Sequence, residues 1–428
     1  MIEIGALVVL ITAFSLFLQE KLKIPSPITL LSFILISKLF GINPFDISLK
    51  TFDQIILLLL PVLITIDALS LKIEDIRKNA VSLFYMAGLS VVLTVIAGAL
   101  LNHWVLPSHN ITTPALILLF CMVAATDPIT VSSIFKNFSV PHELKILAEG
   151  ESLFNDVTAL IIFGLAISYI SGHEPTILDA TINSMTVFFG AIIIGFSIGI
   201  SGLFFLALTK NPMIETFIML SISFVSFSIS EHFHVSGILA IIVSILTANH
   251  IVNYRIKENE LVINEEKRKK RRYRVLSRIS QAFEEKANQL MIEQNIRYTA
   301  ILGTSVLFLS IGDMVSIKLM IKYWKEITSV FIATTIIRAA ILSKFAIISN
   351  SIGVMQNISI HWWLVLIMSG SKGGLSILMI HMLPKNFAYL ELFDSIIVGN
   401  IILGTLIYPL LLTIIFKKYK NKFELDSK

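Results

Sequence analysis

Seven charged side chains stand inside stretches of sequence that are long and apolar enough to cross a lipid bilayer. They are Asp67, Asp127, Glu149, Glu151, Asp156, Arg338 and Lys372. A charged group in the middle of a bilayer costs roughly 3 kcal/mol on insertion scales, so each of these residues is a candidate for work on an ion or a proton. A single one can be a structural ion pair or a side chain that reaches water, but a set of this size predicts a shared polar site.

The first informative segment is AATDPIT, residues 124–130. Pro128 cannot donate a hydrogen bond to the carbonyl of Ala124, and it disfavours helical geometry at Asp127, so the segment predicts an opening in a helix. In lipid, such an opening is tolerated only where it is buried in protein or lines a cavity. Thr126 and Asp127 then offer hydroxyl, carbonyl and carboxylate oxygens at one point, which are ligands that hard cations prefer.

The second informative segment is AEGESLFNDVTALI, in which helical spacing places Glu149, Ser152 and Asp156 on one stripe. Glu151 and Asn155 lie beside that stripe. A membrane helix has no packing use for five such side chains so close together, so they must face other protein or water. The first informative segment is the natural partner for this stripe.

Asp156 and Ser152 are expected to meet the open segment at Asp127, where two carboxylates compete for one charge. Burial and a neighbouring like charge both favour the protonated form of a carboxylate. A cation enters this pocket only when the proton leaves, and the same carboxylate can carry either one. These residues, with Thr126, therefore predict a site that exchanges a hard monovalent cation for a proton, with no cofactor beyond the transported ions.

A second interruption is predicted at MSGSKGGLS, residues 368–376, where three glycines loosen a helix that also carries Lys372. A glycine cluster alone would indicate close helix packing. Paired interruptions in the two halves of a chain instead indicate an inverted-repeat transporter with its site near the bilayer midplane. Arg338 and Lys372 are the available counter-ions, and Arg338 is expected to pair with Glu151.

These residues are carried by a very apolar chain. Its 428 residues are 55% hydrophobic and 15% charged, with a mean hydropathy of +0.82, which excludes a soluble globular protein. The single cysteine, Cys121, excludes an internal disulfide framework. Thirteen apolar runs are predicted to cross the membrane as helices, at 2–18, 25–42, 53–70, 80–102, 111–134, 143–171, 181–209, 213–230, 235–252, 298–315, 326–347, 358–383 and 390–416.

The predicted fold class is an all-α polytopic membrane protein of about 13 transmembrane helices, with two inverted repeats and crossed discontinuous helices. Residues 1–416 form the membrane domain, spans one to six and eight to thirteen its halves, and span seven the linker. Most of the 34 lysines and arginines then lie on the side of the C-terminus, so the N-terminus is expected outside and the tail 417–428 in the cytoplasm. The first span carries Glu3 in place of a basic start and is expected to be retained.

The one long polar segment, 253–297, contains the run EEKRKKRRYR and then the helical pattern ISQAFEEKANQLMIEQ. We interpret it as a basic cytoplasmic loop that enforces topology. Contact with anionic lipid headgroups or a regulator is the alternative. Nucleic-acid binding does not fit so hydrophobic a chain.

Three segments resemble the cation/proton antiporter superfamily, in its electroneutral sodium/proton exchanger branch. They are ATDP at 125–128, EGESLFNDVTALI at 149–161 and LLPVLITIDALSL at 59–71. The resemblance covers nearly all of the membrane region. It implies alternating access by a core bundle from spans four to six and eleven to thirteen, a dimerisation bundle from spans one to three and eight to ten, and homodimers.

At matching positions the resemblance implies that Asp127, Ser152 and Asp156, with Thr126, are the ion ligands. Asp67 is implied to reach the ion from the other bundle. Asn155 before Asp156 is similar to the branch that exchanges one cation for one proton, whereas an electrogenic branch has two aspartates there. Two positions depart from the family. Lys372 stands where arginine is usual and lacks its planar bidentate contacts, and Asp67 stands where glutamate is more common.

The leading prediction is thus a cation/proton antiporter, for Na+ in first place and for Li+ or K+ as alternatives, in a bacterial inner membrane. A K+/H+ antiporter of the same fold is the nearest alternative. A cation channel is a distant one, because no filter-like repeated loop is present. An intramembrane aspartyl protease using Asp156 and Asp313 is another, but SIGD at 310–313 lacks a glycine of the usual motif, and no enzyme is expected.

Overall fold

The computed structural model describes residues 2–22, 24–42, 45, 49–170, 172, 176–209, 211–250, 272–352 and 355–426. Every regular element in this part of the chain is helical, as the sequence predicted. The basic run that begins at residue 265 lies almost entirely outside the described residues.

The described helices vary in length from four to 43 residues. In chain order they are α1 Ile2–Leu22, α2 Ser26–Leu39, α3 Leu49–Ser70, α4 Ile73–Lys78, α5 Ala80–Leu83, α6 Ser90–Leu100, α7 Asn102–Val105, α8 Thr113–Ala124, α9 Pro128–Phe135, α10 His142–Ile170, α11 Ile177–Ala207, α12 Pro212–His232, α13 Gly237–His250, α14 Arg272–Met314, α15 Ile317–Lys322, α16 Trp324–Ser351, α17 Ile360–Met368, α18 Gly374–His381, α19 Leu390–Lys418 and α20 Lys420–Asp426. A turn of π-helix, Phe84–Leu89, joins α5 to α6.

Helical segments lie in all the predicted membrane-crossing ranges. Within the described residues, seven helices are long and apolar enough to cross a membrane on their own, and α2, α8, α13 and the Gln54–Ser70 part of α3 are shorter apolar helices. Two predicted spans, 111–134 and 358–383, are interrupted, as expected. The count of thirteen crossings stays a prediction.

The second half of the predicted loop 253–297 is helical in the structure. Helix α14 begins at Arg272 and continues without a break into the apolar stretch that ends at Met314. No glycine or proline stands between Arg272 and Leu302, so nothing in the local sequence ends the helix at the membrane boundary. The helical pattern predicted within this segment is therefore confirmed, and its place in the cytoplasm stays a prediction.

The chain divides into two compact units. The first comprises residues 1–58, 75–182 and 304–428, and the second comprises 59–74 and 183–303. In the second unit, α11 packs closely on α13 because two glycines remove the side chain between them. A Cβ atom at Gly195 would lie 2.5 Å from the carbonyl oxygen of Ala240, and one at Gly199 would lie 2.7 Å from that of Ser244.

The first unit contains both interrupted helices. Its apolar core joins α10, α16, α17, α19 and the short C-terminal helix α20. Helix α20 folds back on the start of α17, because Phe423 is 1% exposed in that core. Asp426 Oδ2 also accepts hydrogen bonds from His361 Nε2 at 2.8 Å and from Trp362 Nε1 at 2.9 Å. The tail is thus part of the folded unit.

Candidate ion-binding site

The first interruption lies where the sequence predicted it. Helix α8 ends at Ala124, Ala125 has an extended backbone with φ −60° and ψ 139°, and α9 begins at Pro128. The proline ring removes one donor and excludes helical geometry from the residue before it. Residues 125–127 therefore leave the helical hydrogen-bond pattern in the interior of the first unit.

The freed backbone groups are satisfied by side chains and by the second interruption. The amide of Thr126, which would bond to Met122 in a continuous helix, donates to Asp156 Oδ1 at 3.2 Å. The carbonyl of Met122 accepts from Ser376 Oγ at 2.7 Å instead. The amide of Asp127 donates to the carbonyl of Ser371 at 2.7 Å. The amides of Thr126 and Asp127 and the carbonyl of Met122 are therefore all hydrogen-bonded despite the break.

The second interruption also matches its prediction. Helix α17 ends at Met368 and α18 begins at Gly374, and Lys372 lies between them. The two breaks touch, because a Cβ atom at Gly373 would lie 2.7 Å from the Cβ of Asp127. Only glycine lets the two chains come this close. The two interrupted helices therefore cross at Asp127 and Ser371.

Helix α10 contributes three polar side chains to this crossing. Asn155 Nδ2 donates to Thr126 Oγ1 at 2.7 Å, Thr126 Oγ1 donates to Ser152 Oγ at 2.9 Å, and Ser152 Oγ donates to the carbonyl of Thr126 at 2.9 Å. Thr126, Ser152 and Asn155 are buried, and Asp156 is partly buried. The structure thus brings Thr126, Ser152 and Asp156, which the sequence analysis assigned to one pocket, together with Asn155.

Asp127 completes the acidic side of the site. It is buried, and its Oδ2 accepts a hydrogen bond from Thr130 Oγ1 at 3.1 Å. It lies close enough to Asp156 for the two carboxylates to interact electrostatically. Thr130 was not among the predicted residues, although its position three residues after Asp127, one helical turn on, was a signal for it.

Arg338 pairs with Glu151, which confirms the predicted partner. Its two terminal nitrogens donate to the two carboxylate oxygens at 2.6 and 2.7 Å. The guanidinium also donates to the carbonyls of Leu366 and Ile367, the nearer contact being 2.8 Å. A cation suits this place because the last carbonyls of α17 have no helical partner. The pair therefore anchors α16 and α10 to the end of α17.

The remaining predicted residues have separate surroundings. Lys372 is 5% exposed, and its charge interacts with those of Arg338, Glu151 and Asp156, although no carboxylate oxygen among the described residues is at ion-pairing distance from its Nζ. Glu149 accepts a hydrogen bond from Ser132 Oγ at 2.7 Å, with Lys145 Nζ at 3.9 Å. Asp67 lies in α3 in the second unit, and its contact with an ion stays a prediction.

Interrupted helices that cross at a buried acidic site are typical of secondary ion transporters. Residues 6–267, more than half of the chain, match the family model described as "Sodium/hydrogen exchanger, transmembrane". The chain belongs to that family, and it is an integral membrane protein.

Two curated relatives and one solved structure are similar to the chain. The Na+/H+ antiporter NhaG of Bacillus atrophaeus is 27% identical over 96% of this chain and 74% of its own length. The Na+/H+ antiporter ApNhaP of Aphanothece halophytica is 26% identical over 76% of this chain and 57% of its own. The sodium proton antiporter MjNhaP1 of Methanocaldococcus jannaschii matches with a TM-score of 0.71 and 18% identity, over 99% of this chain and 97% of that one. This last likeness shows the fold.

Proposed function

We propose that this chain is a secondary antiporter that exchanges a monovalent cation, Na+ in first place, for H+ across a membrane. The observation that carries the proposal is the group of Thr126, Ser152 and Asp156, hydrogen-bonded to one another where two helix breaks cross. Family membership and the printed activities of the relatives support the same conclusion.

Asp156 is the proposed carrier of the ion and the proton. Its carboxylate holds one or the other, because a bare charge in this buried place is costly. Asp127 adds a second acidic oxygen, and the carbonyl of Thr126 and the hydroxyl of Ser152 add neutral ones. An ion bound among these oxygens displaces hydrogen bonds that the site otherwise makes to itself.

The exchange is proposed to be one cation for one proton, by alternating access. Asn155 supports this stoichiometry, because its neutral amide adds no second titrating group beside Asp156. The proposed assembly is a homodimer in a bacterial inner membrane, with the N-terminus outside and the C-terminus in the cytoplasm. The proposed core bundle is spans four to six and eleven to thirteen.

The test is exchange in proteoliposomes loaded with a pH-sensitive dye, with imposed gradients of Na+, Li+ and K+ in separate runs. We expect Na+ to drive proton movement and Asp156→Asn to abolish it. Glu391→Gln, at an exposed ion pair with Lys322, is the control and should leave the rate unchanged. Sodium-driven exchange that survives Asp156→Asn would overturn the site, and a rate that follows imposed voltage would contradict one-for-one exchange.

A further inference from the structure

A small polar cavity shares Asn155 with the proposed ion site. Its volume is about 20 Å³, and its lining includes Ser90, Asn155, Thr334, Lys372 and Tyr408. A polar cavity of this size accommodates one water molecule when two to four hydrogen-bonding groups face it. The lining supplies more than two.

Asn155 faces both the site and the cavity. Its Nδ2 donates to Thr126 Oγ1 at 2.7 Å, while its Oδ1 is buried with no hydrogen-bond partner among the described residues. A buried acceptor without a donor costs free energy, so this oxygen requires a donor from the cavity. Two side chains in the lining can only donate, the ammonium of Lys372 and the guanidinium of Arg338. Arg338 already donates to Glu151 and to the carbonyls of Leu366 and Ile367, so Lys372 is the donor-only group still available to the cavity.

We propose that one water molecule in this cavity accepts a hydrogen bond from Lys372 Nζ and donates one to Asn155 Oδ1. Lys372 thereby acts as a positioning residue for the proposed exchange, since it fixes which way the Asn155 amide points. Only the transport measurement that tests this water bridge rests on the proposed function.

The direction of the amide sets the direction of the hydroxyl chain in the site. With Oδ1 toward the cavity, Nδ2 donates to Thr126, so the Thr126 hydroxyl must donate to Ser152, and Ser152 donates to the carbonyl of Thr126. With the amide reversed, the Thr126 hydroxyl would donate to Asn155 and no longer to Ser152. Without Lys372, both arrangements become populated, and binding a cation must order them.

The test is a double-mutant cycle between Lys372→Met and Asn155→Ala in the reconstituted protein. Lys372→Met is expected to raise the apparent KM for Na+ by about three- to tenfold, the effect of losing one buried hydrogen bond, with a smaller change in maximal rate. Because Lys372 acts through Asn155, the double variant should have nearly the KM of Asn155→Ala alone. Lys372→Arg, which restores a donor at the cavity, should recover most of the affinity. Lys325→Met on the surface is the matched control.

The same cycle measured by thermal unfolding of the purified protein in detergent is independent of transport. The proposal expects the shifts in Tm also to be non-additive, so a protein without Na+ exchange would overturn the proposed function and leave this readout intact. Additive effects in both readouts would mean that Lys372 acts directly by its charge. An unchanged KM for Na+ in Lys372→Met would mean that Lys372 does not act on the site. Either result overturns the proposal. If Lys372→Met does not fold, Lys372→Gln, which keeps a weaker donor, takes its place in the cycle.

Discussion

The two helix breaks of the first unit are made by different residues and carry opposite charges. The break at 125–127 is made by Pro128, which removes a donor and exposes oxygens, and it carries the acid Asp127. The break at 369–373 is made by glycines, which remove side chains, and it carries the base Lys372. Proline determines where a chain opens, whereas glycine determines how closely another chain can approach. The crossing needs both.

The two breaks also differ in how their charges are balanced. Beside the second break, Arg338 is neutralised by Glu151 through two short hydrogen bonds. Beside the first, the carboxylates of Asp127 and Asp156 accept hydrogen bonds from Thr130 Oγ1 and the Thr126 amide. The Arg338 pair is balanced within the structure, whereas the acids of the first break are the proposed carriers of an exchangeable charge.

Breaking the ion pair between Glu151 and Arg338 should have the largest effect on stability. Glu151→Gln leaves the Arg338 guanidinium buried without its carboxylate, and removing one partner of a buried pair costs about 3–5 kcal/mol. We expect a value near 3 kcal/mol, because the carbonyls of Leu366 and Ile367 still accept from Arg338. Denaturant unfolding of the purified protein in detergent measures it.

The matched control for this variant is Glu391→Gln. Glu391 pairs with Lys322 at 2.6 Å, as close as the buried pair, but both side chains are more than half exposed. Exposed pairs contribute little, so no measurable loss of stability is expected. Equal losses in the two variants would show that burial does not distinguish them.

Forcing the two breaks apart should have the second-largest effect. In Gly373→Ala the new Cβ atom would lie 2.7 Å from the Cβ of Asp127, which is fixed to the backbone and cannot rotate away. Overpacking of this kind costs roughly 2 kcal/mol, and it moves Asp127 relative to Ser371. Proteoliposome exchange should fall strongly even where the protein remains folded.

Gly404→Ala controls for glycine replacement itself. A Cβ atom there would have its nearest neighbour, the backbone nitrogen of Lys372, at 3.5 Å, an ordinary contact. We expect exchange close to that of the parent protein. Full activity in Gly373→Ala would instead mean that the contact between the breaks is not needed for transport.

The sequence predicted those features that depend on residues close to one another along the chain. Proline geometry predicted the opening before Pro128, and helical spacing predicted the stripe that carries Ser152 and Asp156. The partner of Arg338 was also predicted correctly, because few buried charges were available to choose from. In contrast, the contacts of Asp127 with Ser371 and of Met122 with Ser376 join residues more than 240 positions apart, and no local pattern specifies which carbonyl meets which donor.

The same limit explains two further results. The carboxyl end of the chain has a polar composition, yet α20 packs on α17 because Phe423 and Asp426 find partners 62 and 65 residues earlier. Lys372 was expected to serve the acidic cluster as a counter-ion, and its charge does interact with those of Asp156 and Glu151, but over more than ion-pairing distance in the described part of the chain. The position of the charged tip of a long side chain depends on tertiary packing, which residue spacing in the sequence does not determine.

The smallest expected effect is at the neutral link between the two interrupted helices. Ser376→Ala removes the hydroxyl that donates to the carbonyl of Met122, which lost its helical donor to the break. A buried acceptor left without a donor costs about 1 kcal/mol at the lower end of its range, so a small fall in Tm is expected. The KM for Na+ should not change, because neither group is a proposed ligand. Ser221→Ala, an exposed serine bonded within its own helix, controls for the loss of a hydroxyl. A raised KM with unchanged stability would place Ser376 among the groups that shape the ion site, and the division of roles between the two breaks would then fail at this position.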